Sequence, residues 1–201
     1  MPQSDSDRPQ LYFVRHGETE WSLSHQHTGR TDLPLTPHGE QQAIALAPWL
    51  ARTSFSHVFT SPLQRASRTC ALAGATAATP EPDLMEWHYG GYEGRRTAEI
   101  HAERPGWDVF RDGCPGGESP ADIAARADRL IARLSRLHGN IALFSHGEFG
   151  DALAARWIGL EVAQARHFYL NTASLSILAY RPGHPDTRVI QLWNAVPGGF
   201  G

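Results

Sequence analysis

Two short apolar runs stand out in the hydrophobic pattern of the chain, residues 11–14 (Leu-Tyr-Phe-Val) and 141–144 (Ile-Ala-Leu-Phe). Each breaks abruptly into a polar triplet, Arg15-His16-Gly17 and Ser145-His146-Gly147. Runs of this length without polar alternation suit strands covered on both faces, as in the centre of a parallel sheet. Residues 57–60 (His-Val-Phe-Thr) are strand-like, residues 83–85 (Asp-Leu-Met) predict a short strand, and residues 175–180 and 188–193 predict two strands joined by a Pro182-Gly183 turn.

Helix signals fall between the strands. Thr36-Pro37 is an N-cap followed by a first-turn proline, and Ile44, Leu46, Ala47 and Leu50 give an apolar side running to about Arg52, with a kink expected at Pro48. Ser61-Pro62-Leu63-Gln64 has a capping serine, a first-turn proline and a glutamine at the capping-box position, which predicts a helix over 62–77. A short helix is expected at 97–103 and a loop at 104–117. Ser119-Pro120 opens a helix to about His138, with Ile123, Leu130, Ile131, Leu134 and Leu137 on its core face, and residues 149–158 predict another. Strands alternating with helices make this an α/β protein, a single three-layer α/β/α domain with a mostly parallel central sheet. If the two apolar strands are neighbours, a right-handed crossover puts His16 and His146 at one site beyond their carboxyl ends.

A length of 201 residues fits one domain. Residues 1–10 are polar, contain two prolines and lack the apolar core of a signal peptide, so they are expected to form a flexible tail before a domain at 11–196 and a loose end at 197–201. A net charge of −3 provides no basic footprint for nucleic acid or an anionic membrane, so an anionic substrate has to be held by local arginines. No apolar stretch approaches membrane-spanning length. Two cysteines, Cys70 and Cys114, exclude a disulfide scaffold and are expected as free thiols in a cytoplasmic protein.

The candidate chemistry lies where elements begin or end. A neutral imidazole at His16 can attack phosphorus through one ring nitrogen if the other is held as a donor, for instance by a backbone carbonyl. Arg65, in a helical first turn, is either an anion ligand or an ordinary surface arginine. Residues 86–94 (Glu-Trp-His-Tyr-Gly-Gly-Tyr-Glu-Gly) make a glycine-punctuated aromatic loop, either a pocket wall or a loop packed on the core. Glu86 within it is a candidate acid, since partial burial raises a carboxyl pKa. Two arginines, Arg15 and Arg65, could clamp phosphoryl oxygens in bidentate fashion.

The string Arg15-His16-Gly17-Glu18-Thr19-Glu20-Trp21, followed by Thr28-Gly29-Arg30-Thr31-Asp32-Leu33-Pro34-Leu35-Thr36, resembles the opening signature of the histidine phosphatase superfamily, the phosphoglycerate mutase-like fold. Ser61-Pro62-Leu63-Gln64-Arg65-Ala66 resembles its second signature, and residues 86–94 its acid-bearing segment. The resemblance implies a phosphohistidine on His16, with His146 contacting the phosphoryl oxygens beside Arg15 and Arg65. It also implies Glu86 as acid and then base, a small phosphorylated metabolite as partner, and no metal or other cofactor. Ser22, Thr28, Gly29 and Gly147 fall where further phosphate contacts are expected, although relatives often have asparagine at the first of these and the serine is shorter.

Glu18 and Glu93 are expected to be structural, because anions beside a phosphate repel it. Eleven histidines, among them His25 and His27, suggest a metal, but no His-Glu-x-x-His or paired-cysteine spacing occurs. Mutases of the superfamily carry extra basic residues after the acid-bearing loop. Residues 97–119 offer only Arg104 and Arg111, which favours a phosphatase, and residues 86–94 with 110–118 resemble a branch that includes sugar bisphosphatases. A cofactor-dependent mutase and a non-catalytic phospho-ligand module are the alternatives. Glu148 and Asp151, after His146-Gly147, have two readings: caps on the following helix, or negative charge at the pocket rim that disfavours a second phosphate.

Overall fold

The computed structural model describes residues 8–198. Strand β1 (Gln10–Arg15) pairs in parallel with β4 (Asn140–Ser145) along its whole length, Leu11 opposite Ile141 and Arg15 opposite Ser145. That register places the residues after the two strands, His16 and His146, side by side. With β2 (Phe55–Thr60), β3 (Thr79–Pro80), β5 (Leu175–Arg181) and β6 (His184–Ala195), they form one six-stranded sheet in the order β3-β2-β4-β1-β5-β6. The first four strands run parallel; β5 and β6 join antiparallel at one edge.

Alternate side chains of the two central strands enter opposite cores, which explains why neither strand shows polar alternation. Leu11, Phe13, Ile141 and Leu143 pack with α7 (Pro120–Leu134) and α8 (Gly147–Trp157). Val14, Ala142 and Phe144 pack on the other face with Leu46, which joins α2 (Pro37–Ala45) to α3 (Ala47–Leu50), with Leu50 of α3 and with Cys70 of α4 (Gln64–Leu72). The single three-layer α/β domain expected from the pattern is what forms.

Thr36 caps α2 by accepting from the Gly39 amide, and the helix divides before Pro48, whose ring cannot supply an amide to the preceding turn. Gly17 and Gly39 are in backbone contact: a Cβ on Gly17 would lie 2.4 Å from the Gly39 carbonyl oxygen, so the turn after β1 can press against α2 only without side chains.

Several local expectations are corrected. Residues 83–85 are not a strand: Pro82–Leu84 is a 3-10 turn, with proline first and the Glu81 carboxylate accepting from the Asp83 amide. Helix α4 begins at Gln64, after Leu63, and not at Pro62, and it ends at Leu72. The loop at 104–117 contains α6 (Val109–Asp112), capped by Asp108, and a further short helix, α1 (Glu20–Ser24), follows β1. Helix α5 (Thr97–Glu103) forms as expected.

The expectations for residues 1–7 and 199–201 lie outside the described residues. Cys70 is buried, Cys114 is partly buried, and both are free. Among the described residues no helix is long and apolar enough to cross a membrane.

Candidate active site

The strand ends open into a cavity of about 390 Å³ whose wall includes Arg15, His16, Ser22, Thr28, Glu86 and Glu148. His16 is fixed at both backbone and ring. Its amide donates to the Ser145 carbonyl at 3.0 Å, and its Nδ1 lies 2.7 Å from the Gly17 carbonyl, an acceptor, so Nδ1 carries the proton and Nε2 the lone pair. Burial first, then the charges of Arg65 and Arg15, hold the imidazole pKa well below its usual value and keep the ring neutral. These are the requirements of a nitrogen nucleophile.

His146 has the opposite arrangement. It is fully buried, with its ring centroid 5.2 Å from that of His16. Its Nδ1 accepts from Arg65 Nε at 3.1 Å, which leaves Nε2 as the protonated nitrogen, donating to Ser61 Oγ at 2.8 Å. Burial and then Arg65 keep this ring neutral too. Ser61, expected as a helix cap, is therefore the partner of His146, and Leu63 occupies the N-cap position without a side-chain bond.

Arg15 donates to the Leu170 carbonyl, and its guanidinium lies flat against Gly147, where a Cβ would come within 3.2 Å of Arg15 Cζ and Nε. Arg65 is not a surface arginine. Fully buried, it spans from His146 to the carbonyls of Thr31 at 3.0 Å, Gly29 at 2.9 Å and Thr28 at 3.3 Å. It thereby puts a permanent charge behind the cavity wall and ties residues 28–31 to the floor.

Glu86 is 4% exposed, and its carboxyl accepts from the amides of Trp87 (2.8 Å), Phe149 (2.8 Å) and Glu148 (3.2 Å), the last two at the N-terminus of α8. These donors favour the anion. Burial outweighs them, reinforced by the charge of Glu148, and the pKa is raised to about 8. Glu148 titrates in the other direction: burial opposes ionisation, but Arg15 and His27 hold it below the usual carboxylate range. The pair thus shares one proton, held on Glu86 and donated to Glu148. Asp151, one turn further, is buried with Oδ1 unpartnered, and burial and then Glu148 push its pKa well up. The α8 amides that a cap would satisfy at Glu148 and Phe149 are taken by Glu86.

Ser22 lines the cavity, but its hydroxyl is engaged with Thr19 in the capping box of α1, accepting from the amide at 2.8 Å and donating to the carbonyl at 2.9 Å. Thr28 Oγ1 donates to the Gln26 carbonyl at 3.2 Å. The Gly29 amide donates to Glu93, 2.8 Å away, and a Cβ on Gly29 would lie 2.5 Å from the Trp87 carbonyl, so this glycine sits where two loops touch. Glu93 also accepts from the Thr31 amide, and Glu18 from Thr36 and His38. Both act as structural clamps.

Sequence reasoning missed Arg126 and Glu118. The buried Arg126 guanidinium holds the carbonyls of Asp83, Met85 and Glu86 and pairs with Glu118, whose carboxylate also accepts from the His88 amide at 2.8 Å. Together they fix the segment carrying the acid. The trace of Arg126 in sequence is a charge on an otherwise apolar helix face, and Glu118 stands just before the cap of that helix. Among the described residues no group of three or more His, Cys, Asp or Glu side chains converges so as to hold a metal ion.

Known proteins resemble this chain along most of its length. The chain is 38% identical to an acid phosphatase of Mycobacterium tuberculosis, over 90% of its own length and 92% of the relative's. It is 38% identical to sedoheptulose 1,7-bisphosphatase of Saccharomyces cerevisiae over 77% and 69%, and 33% identical to a probable phosphoglycerate mutase of Photorhabdus laumondii over 86% and 85%. A functionally characterised open-reading-frame product of M. tuberculosis superposes with a TM-score of 0.88 at 35% identity, over 94% of this chain and 98% of that one. The profile of the histidine phosphatase superfamily (branch 1) matches residues 11–195, the span from the start of the nucleophile's strand to the end of the sheet, and the chain belongs to that superfamily.

Proposed function

We propose that this histidine-type phosphomonoesterase hydrolyses a small phosphate monoester in two steps, through a phosphohistidine on His16. The observation that carries the reading is the pairing, on one cavity wall, of a neutral imidazole whose Nδ1 is committed to the Gly17 carbonyl with a carboxyl, Glu86, that keeps its proton up to about pH 8. His16 Nε2 attacks phosphorus, the ester P–O bond breaks, and the leaving alkoxide takes the Glu86 proton. Water then attacks the phosphohistidine and gives a proton to Glu86, and the P–N bond breaks to release inorganic phosphate.

Arg15 binds the non-bridging oxygens from the wall. Arg65 and His146 stabilise the same charge from behind, through the guanidinium charge and the hydrogen-bond network they share. Thr28 and Ser22 supply polar surface at the rim. A cytoplasmic setting fits the two free thiols. The mutase alternative requires room and cations for a bisphosphate primer, and Arg15 is the single arginine on the cavity wall among the described residues.

The test is a panel of phosphate monoesters assayed for released phosphate, with and without EDTA, together with acid quenching during turnover of a labelled ester. Phosphate release insensitive to EDTA, and acid-labile label on His16, are expected. No release from any ester, or transfer only in the presence of a bisphosphate, would overturn the phosphatase reading.

A further inference from the structure

Two of the most exposed large apolar side chains among the described residues, Tyr169 at 65% and Leu23 at 64%, line the same cavity as His16. Solvent-exposed apolar groups scattered singly need no explanation, but these two line one cavity and offer apolar surface to whatever enters it. Both stand on fixed backbone. Leu23 lies in α1, held by the reciprocal Thr19–Ser22 capping box at one end and by His25 in the left-handed conformation at the other. The Tyr169 carbonyl accepts from Trp193 Nε1 at 3.0 Å, and the next carbonyl, of Leu170, accepts from Arg15. The arginine that faces the phosphoryl group therefore also anchors the strand of chain that presents the tyrosine.

The charges point the same way. All 18 Lys/Arg side chains of the protein are arginines, and the cavity wall carries one of them, Arg15, against the carboxylates of Glu18 and Glu148, with Glu86 beside them in its protonated form. Glu148 is held ionised beside the acid. A phosphoryl group at His16 uses Arg15, and a second phosphate on the same substrate would meet carboxylates without a cation to neutralise it.

We infer that the leaving-group side of this cavity selects singly phosphorylated esters whose alcohol part presents an apolar face to Tyr169 and Leu23, and rejects bisphosphates. The inference rests on the phosphomonoesterase reading and adds the substrate class. The alcohol's apolar face packs on the tyrosine ring and the leucine methyls, where it displaces water from both sides of the contact.

Three esters of alcohols of similar acidity separate this from the chemistry: ethyl phosphate, 2-phenylethyl phosphate and butane-1,4-diyl bisphosphate. In the wild type, kcat/KM for the phenylethyl ester should exceed that for the ethyl ester by about 10-fold, and the bisphosphate should fall at or below the ethyl ester. Tyr169→Ala and Leu23→Ala should each shrink the phenylethyl-to-ethyl ratio, chiefly through KM, while Tyr169→Phe keeps it. A bisphosphate turned over better than the phenylethyl ester, or a ratio unmoved by either alanine, overturns the inference and leaves the phosphatase reading standing. Absence of phosphate release from all three esters would overturn both.

Discussion

The two strand ends of this protein start from nearly the same local sequence and finish in different chemical states. Both β1 and β4 are apolar strands closing on a polar residue, a histidine and a glycine, and they lie in register. His16 spends one ring nitrogen on the carbonyl of the next residue and keeps the other. His146 spends both, on partners 81 and 85 residues away in sequence. The first is equipped to form a bond to phosphorus; the second is a neutral strut that orients a buried guanidinium. A strand-end histidine is thus a position, and its chemistry is decided by what the fold leaves unpaired.

That contrast breaks most sharply under paired alanine substitution. His16→Ala should lower kcat/KM by about 10⁴-fold or more, with little change in melting temperature, because its ring hydrogen bond is local and no distant group loses a partner. In His146→Ala, Arg65 Nε is left buried and unpaired, and Ser61 Oγ loses its donor and keeps only the Leu63 amide at 3.3 Å. Each such loss costs about 1–3 kcal/mol, so melting should fall by several degrees, with activity reduced but acid-labile phosphate still trapped on His16. Equal thermal stability of the two variants, or label retained in His16→Ala, would erase the distinction.

How much of this was legible in sequence follows the same division. The apolar runs disclosed β1, β4, the histidine at each of their ends and the layered fold because burial on both faces leaves a signal in consecutive residues, and the signature strings placed Arg15, His16, Arg65 and Glu86 in their segments. The short elements were not legible. A 3-10 turn at Pro82–Leu84 and a strand share apolar content over three residues, and only the Glu81 side chain bonding back to Asp83 decides between them. Nor were the partners legible: Ser61 reads locally as a cap, and its bond to His146 exists only because β2 and β4 are adjacent. Arg126 looks like one more charge on α7 until Glu118 and three carbonyls close around it.

The acid distinguishes the two histidines in a second way, since Glu86 shares the cavity wall with His16, whereas His146 does not line it. Glu86→Gln retains an acceptor for the Phe149 amide and removes the proton. Turnover of alkyl phosphates should drop by about 10²–10⁴-fold, the usual range for loss of a general acid, while aryl phosphates, whose leaving groups need little protonation, lose far less. Leaving-group dependence measured over a series from phenols to simple alcohols should steepen in the variant. An unchanged slope would remove Glu86 from the acid role.

The smallest expected effect falls on Glu148, which acts on the proton of the neighbouring Glu86. Glu86 titrates upward because it is buried and because an ionised Glu148 lies against it, the latter kept ionised by Arg15 and His27 against the cost of its own burial. In its proposed role of general acid Glu86 would be active below its pKa, so kcat/KM should be sustained through neutral pH and decline as pH rises through about 8. The neutral His16, its pKa depressed by burial and two arginines, keeps its lone pair well into the acid range and places no competing limit there. Glu148→Gln removes the negative charge and offers an amide that can donate to the Glu86 carboxylate. Both changes favour the ionised form, so the Glu86 pKa falls and the alkaline limb of the pH profile moves to lower pH, while the rate at acid pH stays nearly constant. A profile displaced downward at every pH, with its limb in place, would mean that Glu148 serves the binding of substrate instead of the titration of the acid.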